Sequence, residues 1–566
     1  MSDTKKPSAV ERIKERSNFL RGTLDQSLED GVTGALSHDD TRTAKFHGLY
    51  QQDDRDVRAE RAARKLEPVY GFMARIRAPG GVLTSKQWLA IDEIAQRWSG
   101  GTIRLTTRQS IQLHRVPKHA LKPMLRALHA AGLTTLAACG DVNRNVVCTA
   151  LPEQSPLHRE AFAHALALTA ALKPATHAYD EVWLGADASA ASAPDQEPLY
   201  GATYLPRKFK VGVAVPPYND VDVYAQDLGL VAIKRGGALA AFNVAVGGGM
   251  GMTHGNPRTY PRLAETIGSC TPQQVLDVAR HVLGVQRDFG DRSERSHSRL
   301  KYTIDDRGTA WFKGELERRL GFELGEPQPA RFTQNSDRLG WVEGDDGLHY
   351  LTLLVPAGRV VDGEHRLRTG INAVAQAHGG ELRITANQNL IVAGVAPERR
   401  AALERCVAEH GIDLHAKATP LRREAISCVA LPTCGLAMAE AERYMPELLA
   451  KLEAVLARHG LAEHELALRV SGCPNGCSRP YLAEVALVGK APGRYNLLIG
   501  GSRTGERLNK LYRQNIGEAE ILSALDTLLA DYVRRRTDGE PFGDFVERIG
   551  AVPAQSFQPV QKEGSR

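Results

Sequence analysis

At roughly 150 residues per domain, a chain of 566 residues is long enough for three to four domains. Hydrophobic residues make up 42% and charged residues 24%, which excludes wholesale disorder, a collagen-like fibre and a disulfide-stapled miniature. The formal charge of +6, from 72 basic and 66 acidic residues, gives no reason to invoke nucleic acid and leaves anionic small molecules and protein partners open.

Met1 to Ser17 is densely charged and has no apolar h-region, so no secretory signal is expected there. The uncharged stretch around Ser427–Ala439 is broken by Pro432 and Thr433, far short of the ~18–20 apolar residues of a membrane helix. A cytoplasmic protein is expected. Residues 1–66 are polar, with little apolar periodicity beyond Phe46, Leu49 and Tyr50, and read as an extended arm or wrap, ordered against the body or docking a partner.

From Gly71 the pattern changes. Phe72–Arg77 reads as a strand, Pro79-Gly80-Gly81 as a turn, Lys86–Trp98 as a helix, and Thr102–Leu113 as strands carrying Arg104 and Arg108 on one face. The layout recurs. His349–Val355 is a strand, Pro356-Ala357-Gly358 a turn and Ile371–His378 a helix. Glu381–Asn389 then aligns with Thr102–Ser110, with Arg, Thr and Gln in register and Asn387 in place of Arg108. This predicts an internal duplication around a pseudo-twofold axis, with one copy retaining an anion-binding role. Residues 136–337 read as an insertion between the copies, including Gly247-Gly248-Gly249 and the basic Arg207-Lys208-Phe209-Lys210. On a strand, Lys208 and Lys210 would point one way while Phe209 packs behind. Met438–His459 is a predicted helix ended by Gly460, with strands at Leu466–Val470, Val485–Val488 and Tyr495–Ile499.

Eight cysteines are too few for a disulfide framework, but four of them, Cys428, Cys434, Cys473 and Cys477, cluster as C-x5-C and C-x3-C. Thiolates are soft ligands for zinc, copper(I) or iron–sulfur clusters. Cys428–Cys434 is too long and apolar for a zinc knuckle, and Val429, Ala430, Leu431, Leu436 and Met438 would shield a cluster. Spacing alone leaves three readings open: an iron–sulfur cluster, a zinc site and unligated core cysteines. The second would suit a non-enzymatic, zinc-stapled binding protein. No dinucleotide fingerprint and no P-loop appears, and Gly247–Gly251 fails the fingerprint at its last glycine.

The cysteine pattern with Cys473-Pro-Asn-Gly-Cys477 resembles the siroheme-dependent sulfite and nitrite reductases. So do Phe46–Asp56, Thr203–Lys210 and Gly489–Asn496, and the likeness runs from about Asn18 to about Phe545. Within that family it leans to the hemoprotein (beta) subunits of NADPH-dependent assimilatory sulfite reductases. The resemblance implies an α+β fold. It consists of duplicated ferredoxin-like half-domains (67–135 and 338–415) and two larger α/β domains (136–337 for siroheme and substrate, 416–566 for the iron–sulfur centre).

It further implies a [4Fe–4S] cluster on Cys428, Cys434, Cys473 and Cys477, with Cys477 bridging to siroheme. Siroheme contacts are implied at Arg104, Arg108, Gln112, His114 and Asn475, and substrate-binding cations at Arg75, Arg144, Lys208 and Lys210. The implied reaction is the six-electron reduction of sulfite to sulfide for cysteine biosynthesis. Electrons would come from a diflavin (alpha) reductase subunit carrying FAD and FMN and oxidising NADPH, in a hetero-oligomer. The alternative is a ferredoxin-dependent sulfite or nitrite reductase. Nitrite reductases commonly place asparagine where Lys210 stands, which tilts the expected substrate to sulfite. Lysines among other cations have lowered pKa, so Lys208 or Lys210 is the expected proton donor.

Overall fold

The computed structural model describes residues 6–185 and 197–552. Four five-stranded sheets form its frame. The first contains, in spatial order, Leu49–Asp53, Tyr70–Ile76, Ile111–Val116, Ile103–Leu105 and Arg359–Val360. The second contains Gly340–Glu343, His349–Leu353, Leu390–Val395, Glu381–Ile384 and Val82–Thr84. Both are antiparallel throughout, and each receives its last strand from the other half.

The exchange depends on the two Pro-turns. A Cβ on Gly81 would meet Ile384 O at 2.4 Å, and one on Gly358 would meet Leu105 O at the same distance. Both glycines have positive φ (77° and 69°), a conformation that side chains other than glycine adopt only with strain. The fold is thus the duplicated ferredoxin-like architecture with pseudo-twofold symmetry.

Helices Ser85–Trp98 and Leu367–His378 pack against each other, joined by Trp88 Nε1–H donating to Asn372 Oδ1 (2.9 Å) and by the Arg368–Asp92 ion pair (2.6 Å). Thr84 and Gln87 form a capping box at the start of the first helix, a feature worth about 1 kcal/mol.

The other two sheets repeat the same relation on a larger scale. One is built from Val147–Cys148, Val211–Ala214, Leu228–Arg235, Ala238–Val246 and Glu265–Cys270. Its mate is built from Ile426–Ser427, Leu468–Ser471, Val485–Ala491, Arg494–Ile499 and Lys510–Ile516. In both, the first two pairings are parallel and the last two antiparallel. What reads in the sequence as an insertion is therefore the topological mate of the cysteine-bearing region.

Two local expectations change. Arg104 and Arg108 do not share a strand. Arg104 lies on Ile103–Leu105, whereas Arg108 sits in the hairpin turn before Ile111–Val116, where Gln109 has φ 49° and the Thr106 and Ser110 hydroxyls bond at 2.7 Å. Gln112 and His114 consequently lie on the returning strand. The helix predicted from Met438 begins at Met445, because Pro446 fits the first turn of a helix and residues 438–444 form turns. The N-terminal segment is laid on the body. It forms helices Ala9–Arg16, Leu24–Glu29, Asp40–Thr43 and Arg58–Ala63 and supplies the edge strand Leu49–Asp53 of the first sheet.

Candidate functional site

Strand register sets one row of side chains across the first sheet. Arg359 pairs with Arg104, Arg104 with Gln112, and Gln112 with Arg75, so all four stand side by side on one face. Arg104 is 3% exposed and is turned to internal partners: Nε donates to Glu442 Oε2 (2.7 Å), and Nη2 donates to the carbonyls of Ala357 (2.9 Å) and Ser427 (3.0 Å). It joins the first sheet to the residue before Cys428. Arg108 donates to Gln226 Oε1 (2.6 Å) and to the carbonyls of Asn145 and Val211, while its Nε has no partner.

His114 Nδ1 faces Gln52 Oε1 at 3.3 Å, and its buried Nε2 has no partner. Burial first, then the guanidinium groups of Arg359, Arg104 and Arg75, hold this imidazole well below its usual pKa and therefore neutral.

Two loops face this row. They are joined where Asn143 bridges Phe209: Arg144 N–H donates to Phe209 O (2.9 Å), and Phe209 N–H donates to Val142 O (3.0 Å). Phe209 is wholly buried, whereas Lys208 and Lys210 on either side keep part of their surface. Arg144 donates to the carbonyls of Ala138 (3.2 Å) and Gly140 (2.7 Å), and Arg75 reaches the same Ala138 carbonyl (3.4 Å). Burial, followed by Arg207 and Arg299, pulls Lys208 down to about 7. Lys210 lies well below the lysine range, through burial and then Lys208 and Arg108. Behind them, the buried Arg299–Asp227 pair (2.8 Å) receives the Lys210 backbone N–H on Asp227 Oδ2 (3.0 Å).

The cysteines sit at the carboxyl ends of adjacent parallel strands, a position where α/β sheets commonly bind ligands. Cys428 follows Ile426–Ser427, while Cys473 and Cys477 follow Leu468–Ser471. Gly472 N–H donates to Cys428 Sγ (3.2 Å) and Asn475 Nδ2–H to Cys473 Sγ (3.5 Å), so the Asn475 amide is aimed at a sulfur. Cys434 is held from the N-terminal segment. Arg55 N–H donates to Pro432 O (3.0 Å), and Arg55 Nη1 donates to the carbonyls of Cys434 and Ala437 (both 3.3 Å).

Burial raises the Cys428, Cys434 and Cys473 thiols, the last to about 11, and nearby cysteines raise each further. Cys477 is among the influences on each of the three. Among the described residues, however, no three His, Cys, Asp or Glu side chains converge on a single ion, as a zinc site with bonds of about 2.3 Å would require.

Cys477 is exposed toward the cationic wall. Thr107 Oγ1 donates to its carbonyl (3.1 Å), and its sulfur contributes to the electrostatics of both Lys208 and Lys210. The arginine hairpin, the lysine loop and the cysteine turn thus meet in one place. Buried polar atoms are normally partnered, yet Arg75 Nε, Arg108 Nε, His114 Nε2 and both side-chain polar atoms of Asn143 are not. Unpaired donors within a ring of arginines suit a polycarboxylate ligand.

Sequence reasoning gave no role to Asn143, Arg299, Asp227 or Arg359. Arg55 lies within the Phe46–Asp56 motif, but its partner Cys434 is 379 positions away and nothing local announces it.

Comparison with known proteins follows the same lines. The description "Nitrite/Sulfite reductase ferredoxin-like half domain" matches residues 64–131 and 342–410, and "Nitrite and sulphite reductase 4Fe-4S domain" matches residues 165–324. Three relatives carry the name "Sulfite reductase [NADPH] hemoprotein beta-component". That of Myxococcus xanthus is 56% identical, covering 99% of this chain and 100% of its own. That of Geobacillus thermodenitrificans is 55% identical over 96% of each chain, and that of Acidithiobacillus ferrooxidans 54% identical over 98% of each. The solved structure of Mycobacterium tuberculosis NirA protein superposes with a TM-score of 0.78 at 24% identity, over 96% of this chain and 97% of that one, a likeness of fold.

Proposed function

The chain belongs to the nitrite and sulfite reductase family, and from that premise we propose that it reduces sulfite to sulfide as the hemoprotein component of an assimilatory sulfite reductase. The cofactors are siroheme and a [4Fe–4S] cluster, which when bound would supply low-potential electrons to the substrate anion. Cys428, Cys434, Cys473 and Cys477 would hold the cluster, and of these Cys477 is the exposed one, beside the arginine hairpin. Arg108, Gln112, His114 and Asn475 would face the tetrapyrrole. Arg104, with its ion pair to Glu442, serves chiefly to hold the arginine row against the Cys428 strand.

Arg75 and Arg144 fix the oxyanion through their guanidinium groups. Each departing oxygen leaves as water and takes two protons, and Lys208 Nζ and Lys210 Nζ are the cations in the wall whose lowered pKa suits them to relay protons. The Arg299–Asp227 pair fixes the Lys210 backbone, so that the ammonium is presented without its own carboxylate partner.

The relatives' names describe one component of an NADPH-dependent enzyme. Electrons accordingly reach this chain from a separate flavoprotein (alpha) subunit in a hetero-oligomer, and the flavins belong to that subunit. The setting is the cytoplasm, where thiol ligands stay reduced. No helix among the described residues is long and apolar enough to cross a membrane.

One observation supports this reading above the others: unpartnered buried donors on a cationic wall that faces an exposed cysteine of the quartet. The test is an absorption spectrum with iron analysis of purified holoprotein, followed by sulfide assay with a diflavin subunit or with reduced ferredoxin. Siroheme colour and sulfide release with the diflavin subunit are expected. A colourless protein, or one served by ferredoxin alone, contradicts the reading in its cofactor or its donor respectively.

A further inference from the structure

The loop that presents Lys208 and Lys210 is gripped through its carbonyls by cations from distant parts of the chain. Lys14 Nζ, on helix Ala9–Arg16, donates to Leu205 O (2.8 Å). Arg292 Nη2 donates to Tyr204 O (2.7 Å), and Arg295 Nη1 reaches Pro206 O (3.4 Å).

These cations converge on two buried carboxylates, Asp141 (3% exposed) and Glu11 (5%). Arg295 clamps Asp141 bidentately (2.8 and 3.0 Å), Lys14 stands 3.7 Å from it and Arg207 4.0 Å. Glu11 takes Lys14 and Arg292. Asp141 also accepts Leu205 N–H on its own carbonyl (3.0 Å), and it lies three residues before Arg144 in the same loop. One carboxylate therefore sits beneath both segments of the anion wall.

We propose that Asp141 is a positioning residue for the anion site, tying helix Ala9–Arg16 to the loops that carry Arg144, Lys208 and Lys210. The proposal rests on the reading of that wall as the sulfite site. The physical reason is charge balance. Lys14, Arg207, Arg292 and Arg295 are four cations held by two carboxylates. With Asp141 neutral, Arg295, Arg207 and Lys14 lose their shared counter-charge and repel one another. The Tyr204, Leu205 and Pro206 carbonyls then lose their fixed donors, and the lysine loop loses its register against Arg144. Asp141 touches neither substrate nor cofactor in this arrangement. It acts through the cations it holds, and it makes the N-terminal helix part of the active-site scaffold.

The test uses full-length holoenzyme with Asp141→Asn and, separately, Lys14→Met, which leaves the Asp141–Arg295 clamp intact. Sulfite is titrated onto the oxidised protein and followed in the siroheme absorption, and KM and kcat are measured alongside iron content. For Asp141→Asn the dissociation constant and KM for sulfite are expected to rise about tenfold or more, the usual cost of losing a supporting partner. Iron content should stay unchanged, and kcat should fall alongside, because Lys208 and Lys210 ride on the displaced loop. Lys14→Met should shift the same constants in the same direction by a smaller factor.

Wild-type sulfite affinity in both variants overturns the proposal, as does a loss confined to kcat. If Asp141→Asn does not hold its cofactors, Lys14→Met decides: raised KM with full iron supports the proposal and unchanged KM overturns it. A wild-type protein that shows no sulfite-dependent spectral change removes the functional reading itself, an outcome distinct from equal binding by wild type and variants.

Discussion

Lys208 and Lys210 flank a ring that is wholly buried, and no carboxylate is hydrogen-bonded to either ammonium among the described contacts. Phe209 anchors the segment, so replacing either lysine changes the chemistry of the wall without removing its packing. Lys210→Met should lower kcat by about 10²–10⁴-fold, the range for losing a positioned proton donor, with siroheme and iron content intact. The protonated amine is the donating form and Lys208 is pulled to about 7, so kcat/KM should fall as pH rises through that value. Lys208→Met should lose this alkaline limb, and a variant that keeps it would remove Lys208 from the proton path.

At this scale the sequence is most legible where chemistry restricts residue type. The four cysteines and the Lys208-x-Lys210 pair stand out because few other roles demand them. Arg104 was only half legible. Its residue type suits a carboxylated cofactor, but Glu442, the partner that engages its Nε, lies 338 positions away and no local pattern announces it.

Pairs of equivalent elements carry the next level. The parallel strands that end in cysteine loops in one half have mates, Val147–Cys148 and Val211–Ala214, whose following loops carry Thr149 and Asp220 instead. There a cavity of about 20 Å³, room for a single water, is lined by Thr149, Asp220, Asp337, Thr352 and Thr385. Asp337 accepts from Thr385 (2.5 Å), Asn387 (3.1 Å) and Asn389 (2.8 Å), so the residue standing where Arg108 stands in the other copy has become structural.

Burial, then Asp337, pushes Asp220 up from 3.8 to about 7. A carboxyl raised in the fold contributes its full stability only below its unfolded pKa, and that contribution is lost as pH rises through 7. Asp220→Asn should therefore be more stable than wild type by about 1–2 kcal/mol at pH 8, allowing for solvent screening at a partly open pocket, with the gain vanishing near pH 4. Thermal melts at the two pH values measure this, and an equal difference at both would refute it. The Arg-Thr-Gln match made the first duplication readable. The second was not readable, because the two larger sheets share strand order and direction without a comparable match of side chains in register.

Across the whole molecule, the exchange of Val82–Thr84 for Arg359–Val360 means that neither ferredoxin-like sheet is complete without the other half. A single buried apolar cluster runs from Leu20 through both of these sheets and the Val147–Cys270 sheet to Leu414, while the cysteine region has its own core from Leu421 to Val552. Expressed alone, residues 1–337 should not reach a protected native state in hydrogen exchange, since they would lack an edge strand and the part of that core between Leu351 and Leu414. Cooperative protection in that fragment would contradict the reading.

The alternation of strands, turns and helices was visible in the sequence, but the exchange was not. The exchanged strands are two or three residues long, and the partners that fix them are two Pro-turns set against distant carbonyls.

Cys477 is the proposed point where cluster and tetrapyrrole would meet the cationic wall. The visible absorption spectrum of Cys477→Ser beside the wild type, both purified as holoprotein, tests it most directly. The wild type should show siroheme absorption perturbed by a coupled cluster, and the serine variant should lose that perturbation together with sulfide production. A serine variant with the wild-type spectrum and full turnover would contradict it.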